Sequence, residues 1–96
     1  MKPSKHTTFD AWIAKEYTTP DEKQRLAAAV TEAKVALRIA ELRHKQGISQ
    51  QDLAHKLHTK QQYVSRIEQP NNTSISVRTL AKLADIFHKK LVIDFV

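Results

Sequence analysis

The chain has 96 residues, with 16 Lys and Arg against 10 Asp and Glu for a net charge of +6, 41% hydrophobic residues and no cysteine. This length accommodates one small domain and excludes a TIM barrel or a Rossmann unit with a substrate domain. The lack of cysteine excludes disulfide staples and thiolate zinc sites, so packing or a second subunit must hold the fold.

No apolar run approaches the roughly 18 residues of a membrane span. Residues 1–8 are polar and basic, without the hydrophobic region of a signal peptide, so a soluble cytoplasmic protein is expected. Charge is unevenly placed. Residues 1–23 hold four lysines and four acids, whereas residues 24–96 carry the entire +6. The division predicts a neutral amino-terminal extension over 1–23 and a basic body over 24–96 suited to a polyanion. With one glycine and three prolines, the chain should be mostly helical.

The first predicted element is a short helix from Thr8, on which Phe9, Trp12, Ile13 and Tyr17 form a stripe at helical spacing. Thr18 to Pro20 ends it. Thr19-Pro20-Asp21-Glu22 then starts a second helix, with Thr19 as N-cap, Pro20 in the first helical position and Glu22 closing a capping box. It runs to Gln46, where Gly47 can adopt the left-handed conformation that stops it. At 1.5 Å per residue its length is roughly 40 Å. Leu26, Val30, Ala33, Leu37 and Ala40 mark one line along it, open to the aromatic stripe or to a second subunit. A second line of Val35, Ile39 and Leu42 should face the core.

Ser49 is expected to cap a helix over 50–57, with Leu53, Ala54 and Leu57 inward, and Thr59 a helix from Lys60 to Glu68 or Gln69 with Val64 and Ile67 inward. Pro70 to Ser74 read as a loop. A last helix over 76–88 turns Leu80, Leu83, Ala84 and Phe87 to the core. Residues 91–96, Leu-Val-Ile-Asp-Phe-Val, are β-branched and apolar and predict one carboxy-terminal strand. A lone strand leaves its backbone groups unpaired, so Leu91, Val92, Ile93, Asp94, Phe95 and Val96 are expected to pair with a second copy. Leu91, Ile93 and Phe95 would share one face, and Asp94 the wetter one.

Residues 50–69, QQDLAHKLHTKQQYVSRIEQ, resemble the helix-turn-helix of the phage-repressor (Cro/C1, or XRE) family. Ala54 supplies the small residue where two helices cross, and Leu53, Leu57, Val64 and Ile67 supply apolar inner faces. His58 stands where the family usually has glycine. Histidine is among the residues enriched at positive φ, so the turn survives the change. Gly47 to Gln50 resemble the segment leading into the first motif helix, and Arg43 with Glu68 match a pair that forms an ion pair in many members.

The resemblance covers residues 35–91 and implies a mainly α, lambda-repressor-like helix-turn-helix domain that binds double-stranded DNA. By that resemblance Gln61, Gln62 and Arg66 are the base contacts, with Lys60 on a base or on a phosphate. Glutamine can pair bidentately with adenine and arginine with guanine. Ser49, Gln50, Asn71, Asn72, Thr73, Ser74 and Arg78 are placed at phosphates, at a helix amino terminus or on the loop opposite it, and Tyr63 at a phosphate, against a thymine methyl or as a shield to the core.

The whole plan is similar to the HigA-type antitoxins, which bind a RelE-like ribonuclease toxin and repress their own operon. The resemblance therefore implies a homodimer on a palindromic operator and a small basic toxin as partner, with Phe9, Trp12, Ile13 and Tyr17 as toxin contacts. Many antitoxins are acidic, and this chain departs from them in charge. A stand-alone prophage-type repressor is the alternative. His55 and His58 have no carboxylate or cysteine at ligand spacing, and no nucleophile motif or glycine-rich phosphate loop is present, so neither metal, cofactor nor enzyme activity is expected.

Overall fold

The computed structural model describes residues 19–71 and 75–96. The aromatic-striped helix expected over Phe9 to Tyr17 lies outside the described residues, as do Asn72, Thr73 and Ser74. Four helices are described: α1 (Pro20–Lys45), α2 (Gln50–Lys56), α3 (Gln61–Ile67) and α4 (Val77–Ile86). The chain divides into two units, residues 1–31 and 32–96, with α1 starting in the first and ending in the second.

In the first unit, α1 begins as its sequence dictates. The Thr19 hydroxyl accepts the Glu22 backbone N–H at 3.2 Å, satisfying one of the orphan donors of a helix start. Asp21 and Glu22 complement the positive end of the helix dipole there, and Arg43, His44 and Lys45 complement the negative end 26 residues on. Leu26 and Val30 are half-buried.

The second unit is built around Ile39, Leu53, Ala54, Leu57, Val64, Ile67, Leu83 and Phe87, all buried, with Val35, Leu42 and Leu80 packed against them. Val35, Ile39 and Leu42 are the second apolar line of α1, so that line faces the core. On the other line Leu37 is exposed, while Ala33 and Ala40 are half-buried.

Three of the four helices end in the same way. Gly47, His58 and His88 have φ of 67°, 57° and 55°, and each sits between two closing hydrogen bonds. At the end of α1 these run from Gly47 N–H to the His44 carbonyl and from Ile48 N–H to the Arg43 carbonyl; at α2 from His58 to His55 and from Thr59 to Ala54; at α4 from His88 to Asp85 and from Lys89 to Ala84. Each is a Schellman motif with its left-handed residue at the position that favours glycine. The α2 motif also corrects one expectation. Thr59 does not cap α3, because its backbone N–H closes the preceding helix; Lys60 is the N-cap and makes no side-chain capping bond. The α3 helix therefore starts one residue later than predicted. Ser49 and Ser76 do cap, accepting the N–H of Asp52 at 3.0 Å and of Thr79 at 3.1 Å.

A left-handed non-glycine residue costs about 1–2 kcal/mol, and glycine loses about 0.5–1 kcal/mol more backbone entropy on folding than alanine does. The first effect wins. His58→Gly is therefore expected to stabilise the domain by roughly 0.5–1 kcal/mol, read as a higher urea midpoint with unchanged slope. An unchanged or lower midpoint would show that the histidine side chain supplies a compensating contact.

The strand expected over residues 91–96 is not confirmed in the single chain. Among the described residues there is no strand, and no backbone group from 91 to 96 pairs with another backbone group. The physical reason is the one that makes any lone strand fail: a ladder needs a second extended edge, and the described chain offers none.

Candidate nucleic-acid interface

Helices α2 and α3 are joined by residues 57–60 and pack through Leu53, Ala54 and Leu57 on one side and Val64 and Ile67 on the other. Ala54 is the small residue at the crossing, 4% exposed. Burying Val64 and Ile67 leaves the opposite face of α3 to solvent. Lys60, Gln61, Gln62 and Arg66 are all exposed, the first three at the amino-terminal start of the helix and Arg66 in its last turn.

Tyr63 lies between those two faces and is half-buried. Its hydroxyl is directed at the Thr79 hydroxyl, 3.5 Å away, and the Arg66 guanidinium stands 5.7 Å from its ring centroid, within reach of a cation–π attraction. Thr79 is in turn 3.0 Å from the Ser76 hydroxyl. A line of groups thus runs from the amino-terminal end of α4 through Tyr63 to Arg66. Sequence reasoning missed Ser76 and Thr79 in this role, although the capping pattern Ser76-Val77-Arg78-Thr79 placed both hydroxyls at the start of α4.

Behind this face, the Arg43 guanidinium meets the Glu68 carboxylate twice. Nε donates to Oε2 at 2.7 Å and Nη2 to Oε1 at 3.0 Å, with both side chains less than a tenth exposed. Arg43 Nη1 donates to the Ile48 carbonyl at 2.9 Å, and the Gln50 amide donates to Glu68 Oε1 at 3.2 Å. The Glu68 hydrogen bond raises the Arg43 pKa above its ordinary value, against the opposing effect of desolvation. Arginine therefore stays charged at any ordinary pH. The cluster ties α1 to the residue just past α3 and to the first residue of α2. A second fastening, unforeseen in the sequence, is the Gln46 amide donating to the Phe87 carbonyl at 2.7 Å.

The residues assigned to phosphates are placed unevenly. Ser49, Asn71 and Arg78 are exposed. Ser49 accepts the Asp52 N–H in capping α2 and keeps its own O–H to donate, whereas Gln50 commits an amide N–H to Glu68. Tyr63 points its hydroxyl at Thr79, away from the open face.

Compared with protein-family models, residues 39–93 match the one described as helix-turn-helix, which is more than half of the chain. The chain belongs to the XRE-type helix-turn-helix family. As a member of that family it is a DNA-binding transcription regulator. In helix-turn-helix proteins the second motif helix lies in the major groove with its amino-terminal residues toward the base edges, and the first crosses the backbone; in this helix-turn-helix protein the second is α3. Comparison with curated proteins and with solved structures finds no match. No helix among the described residues is long and apolar enough to cross a membrane.

Proposed function

We propose that the protein is a sequence-specific repressor that binds a palindromic operator as a homodimer and, like the HigA-type antitoxins it resembles, neutralises a RelE/HigB-type ribonuclease toxin. The observation that carries the DNA reading is the exposure of Lys60, Gln61, Gln62 and Arg66 at the start and on the outer face of α3. Two glutamines and two cations are the side chains that pair bidentately with adenine and guanine. Ser49, Gln50, Asn71, Asn72, Thr73, Ser74 and Arg78 set the register against phosphates, with Tyr63 holding Arg66. Residues 91–96 pair the two copies, and two-fold symmetry sets the two α3 helices as half-sites about one DNA turn apart. The chain is a small basic body over 24–96 with a neutral extension over 1–23, and Phe9, Trp12, Ile13 and Tyr17 of that extension are the toxin contacts.

The +6 charge favours a second reading, a stand-alone prophage-type repressor, because a basic chain repels a basic toxin. One experiment separates the two. The tagged protein is expressed with its flanking reading frames and recovered after a high-salt wash that strips nucleic acid. A stoichiometric small basic partner that is lost when residues 1–23 are removed is the expected result. A homodimer free of any partner would leave the stand-alone repressor. In parallel, selection from random duplexes should enrich a palindrome, and a selection that enriches nothing overturns the repressor reading itself.

A further inference from the structure

Between α1, α4 and the carboxy-terminal residues lies an open groove of about 670 Å³. Its floor is apolar, formed by Val35, Ile39, Leu42, Leu83 and Phe87, and it extends to Leu91, Val92 and Ile93. The charged residues around it are all cations: Lys34, Arg38, Lys89 and Lys90. An occupant must therefore be apolar and carry negative rather than positive charge. Residues 91–96 have that composition, with five apolar side chains, one acid in Asp94 and no cation.

Exposure along this segment dips at Ile93 and otherwise rises toward Val96. Leu91 and Ile93 are 36% and 58% exposed, against 75% for Val92 between them, and Phe95 on the same alternate face is 99% exposed. The segment thus turns one edge of its apolar face to its own groove and leaves its largest side chain with nothing to cover it.

Pairing of two such segments permits few registers. Residues directly opposite in an antiparallel pair share a face, so the apolar faces coincide only when the two-fold axis passes through a residue. An axis at Asp94 sets two carboxylates opposite each other, which is destabilising. One at Val92 sets Phe95 opposite Lys89, whose backbone N–H is already committed to the Ala84 carbonyl at 2.8 Å. An axis at Ile93 pairs Ile93 with its copy and Phe95 with Leu91 on both sides, and every pair on that face is apolar.

The geometry points to the groove as the seat of a second copy's carboxy-terminal segment, the two segments pairing antiparallel about Ile93 so that each Phe95 closes over the other copy's Leu91 at the groove mouth. This rests on the homodimer proposed above and specifies its interface. The chain contains no cysteine, so single substitutions report the register directly. Ile93→Cys, Val92→Cys and Asp94→Cys are made in the full chain, oxidised and compared for cross-linked dimer, and the dimer dissociation constant of Phe95→Ala is measured by sedimentation.

The expected result is fast, near-complete cross-linking for Ile93→Cys and slow, partial cross-linking for the other two, since only residues at the axis face their own copies within disulfide distance. Phe95→Ala, exposed in the single chain and harmless to its fold, should weaken the dimer by about tenfold or more through loss of two aromatic contacts. A dimer that cross-links fastest through Val92→Cys or Asp94→Cys, or one indifferent to Phe95→Ala, overturns the register and the groove while leaving the homodimer standing. A protein that sediments as a monomer at all concentrations overturns both.

Discussion

Glu68→Ala is expected to destabilise the domain by about 3–5 kcal/mol, the cost of removing one partner from a buried ion pair. The carboxylate accepts from Arg43 at 2.7 and 3.0 Å and from Gln50 at 3.2 Å. Its removal strands a buried guanidinium and one amide at once. A small domain has about 5–15 kcal/mol in all, so the variant should lose a large share of its stability and melt at a much lower urea concentration. Replacing both partners, Arg43→Met with Glu68→Leu, should recover much of the loss, since most of it is the penalty of an unpaired cation. Recovery should stop short of wild type because the Ile48 carbonyl loses its donor from Arg43. Urea melts of the three variants test this, and a loss below about 1 kcal/mol for Glu68→Ala would show a pair behaving like an exposed one.

Arg66→Ala is expected to cost about 1–3 kcal/mol at each half-site, and the proposed two-fold dimer would carry the lesion twice, for about 2–6 kcal/mol on the whole operator. Preference at one base of each half-site should relax with it. Arg78→Ala should instead weaken specific and random duplexes alike and lower the salt slope by about one. Titrations on the selected palindrome and on a random duplex at several salt concentrations separate the two. Equal losses on both duplexes for Arg66→Ala would turn it from a base reader into a phosphate contact.

Much of this architecture is legible in the sequence because the determining physics is local. Thr19 and Ser49 announce helix starts through short-range capping, and the apolar spacing of Leu53, Leu57, Val64, Ile67, Leu83 and Phe87 marks the buried faces. Thr59 misleads for an equally local reason. It has the side chain of a cap, but its backbone is claimed by the end of α2, and a one-residue competition of that kind is invisible to composition.

The carboxy-terminal segment shows the opposite limit. Its β-branched pattern describes what the residues would do beside another strand, and the single described chain supplies none. In the candidate site, the exposure of Gln62 and Arg66, four residues apart and opposite Val64 and Ile67, follows from helical periodicity, whereas Lys60 is exposed because it precedes α3 as its N-cap. The path from Ser76 and Thr79 through Tyr63 to Arg66 does not, because it crosses between two helices whose mutual placement no single segment encodes. For the same reason the Gln46 amide that holds the Phe87 carbonyl gives no sign of its target in the chain.

The ion pair at Arg43 and Glu68 joins residues 25 apart, and the bond from Gln46 to Phe87 joins residues 41 apart, whereas the turn between α2 and α3 closes within a few residues. Loop-closure entropy favours the short connection first. The α2–α3 pair can therefore form early in folding, with α1 and α4 clamped onto it afterward. Interactions made late act on the rate at which the native state opens rather than the rate at which it forms. The buried ion pair is in this sense a latch on the lifetime of the folded domain. Weakening it should shorten that lifetime while leaving the assembly of the two motif helices nearly as fast as before.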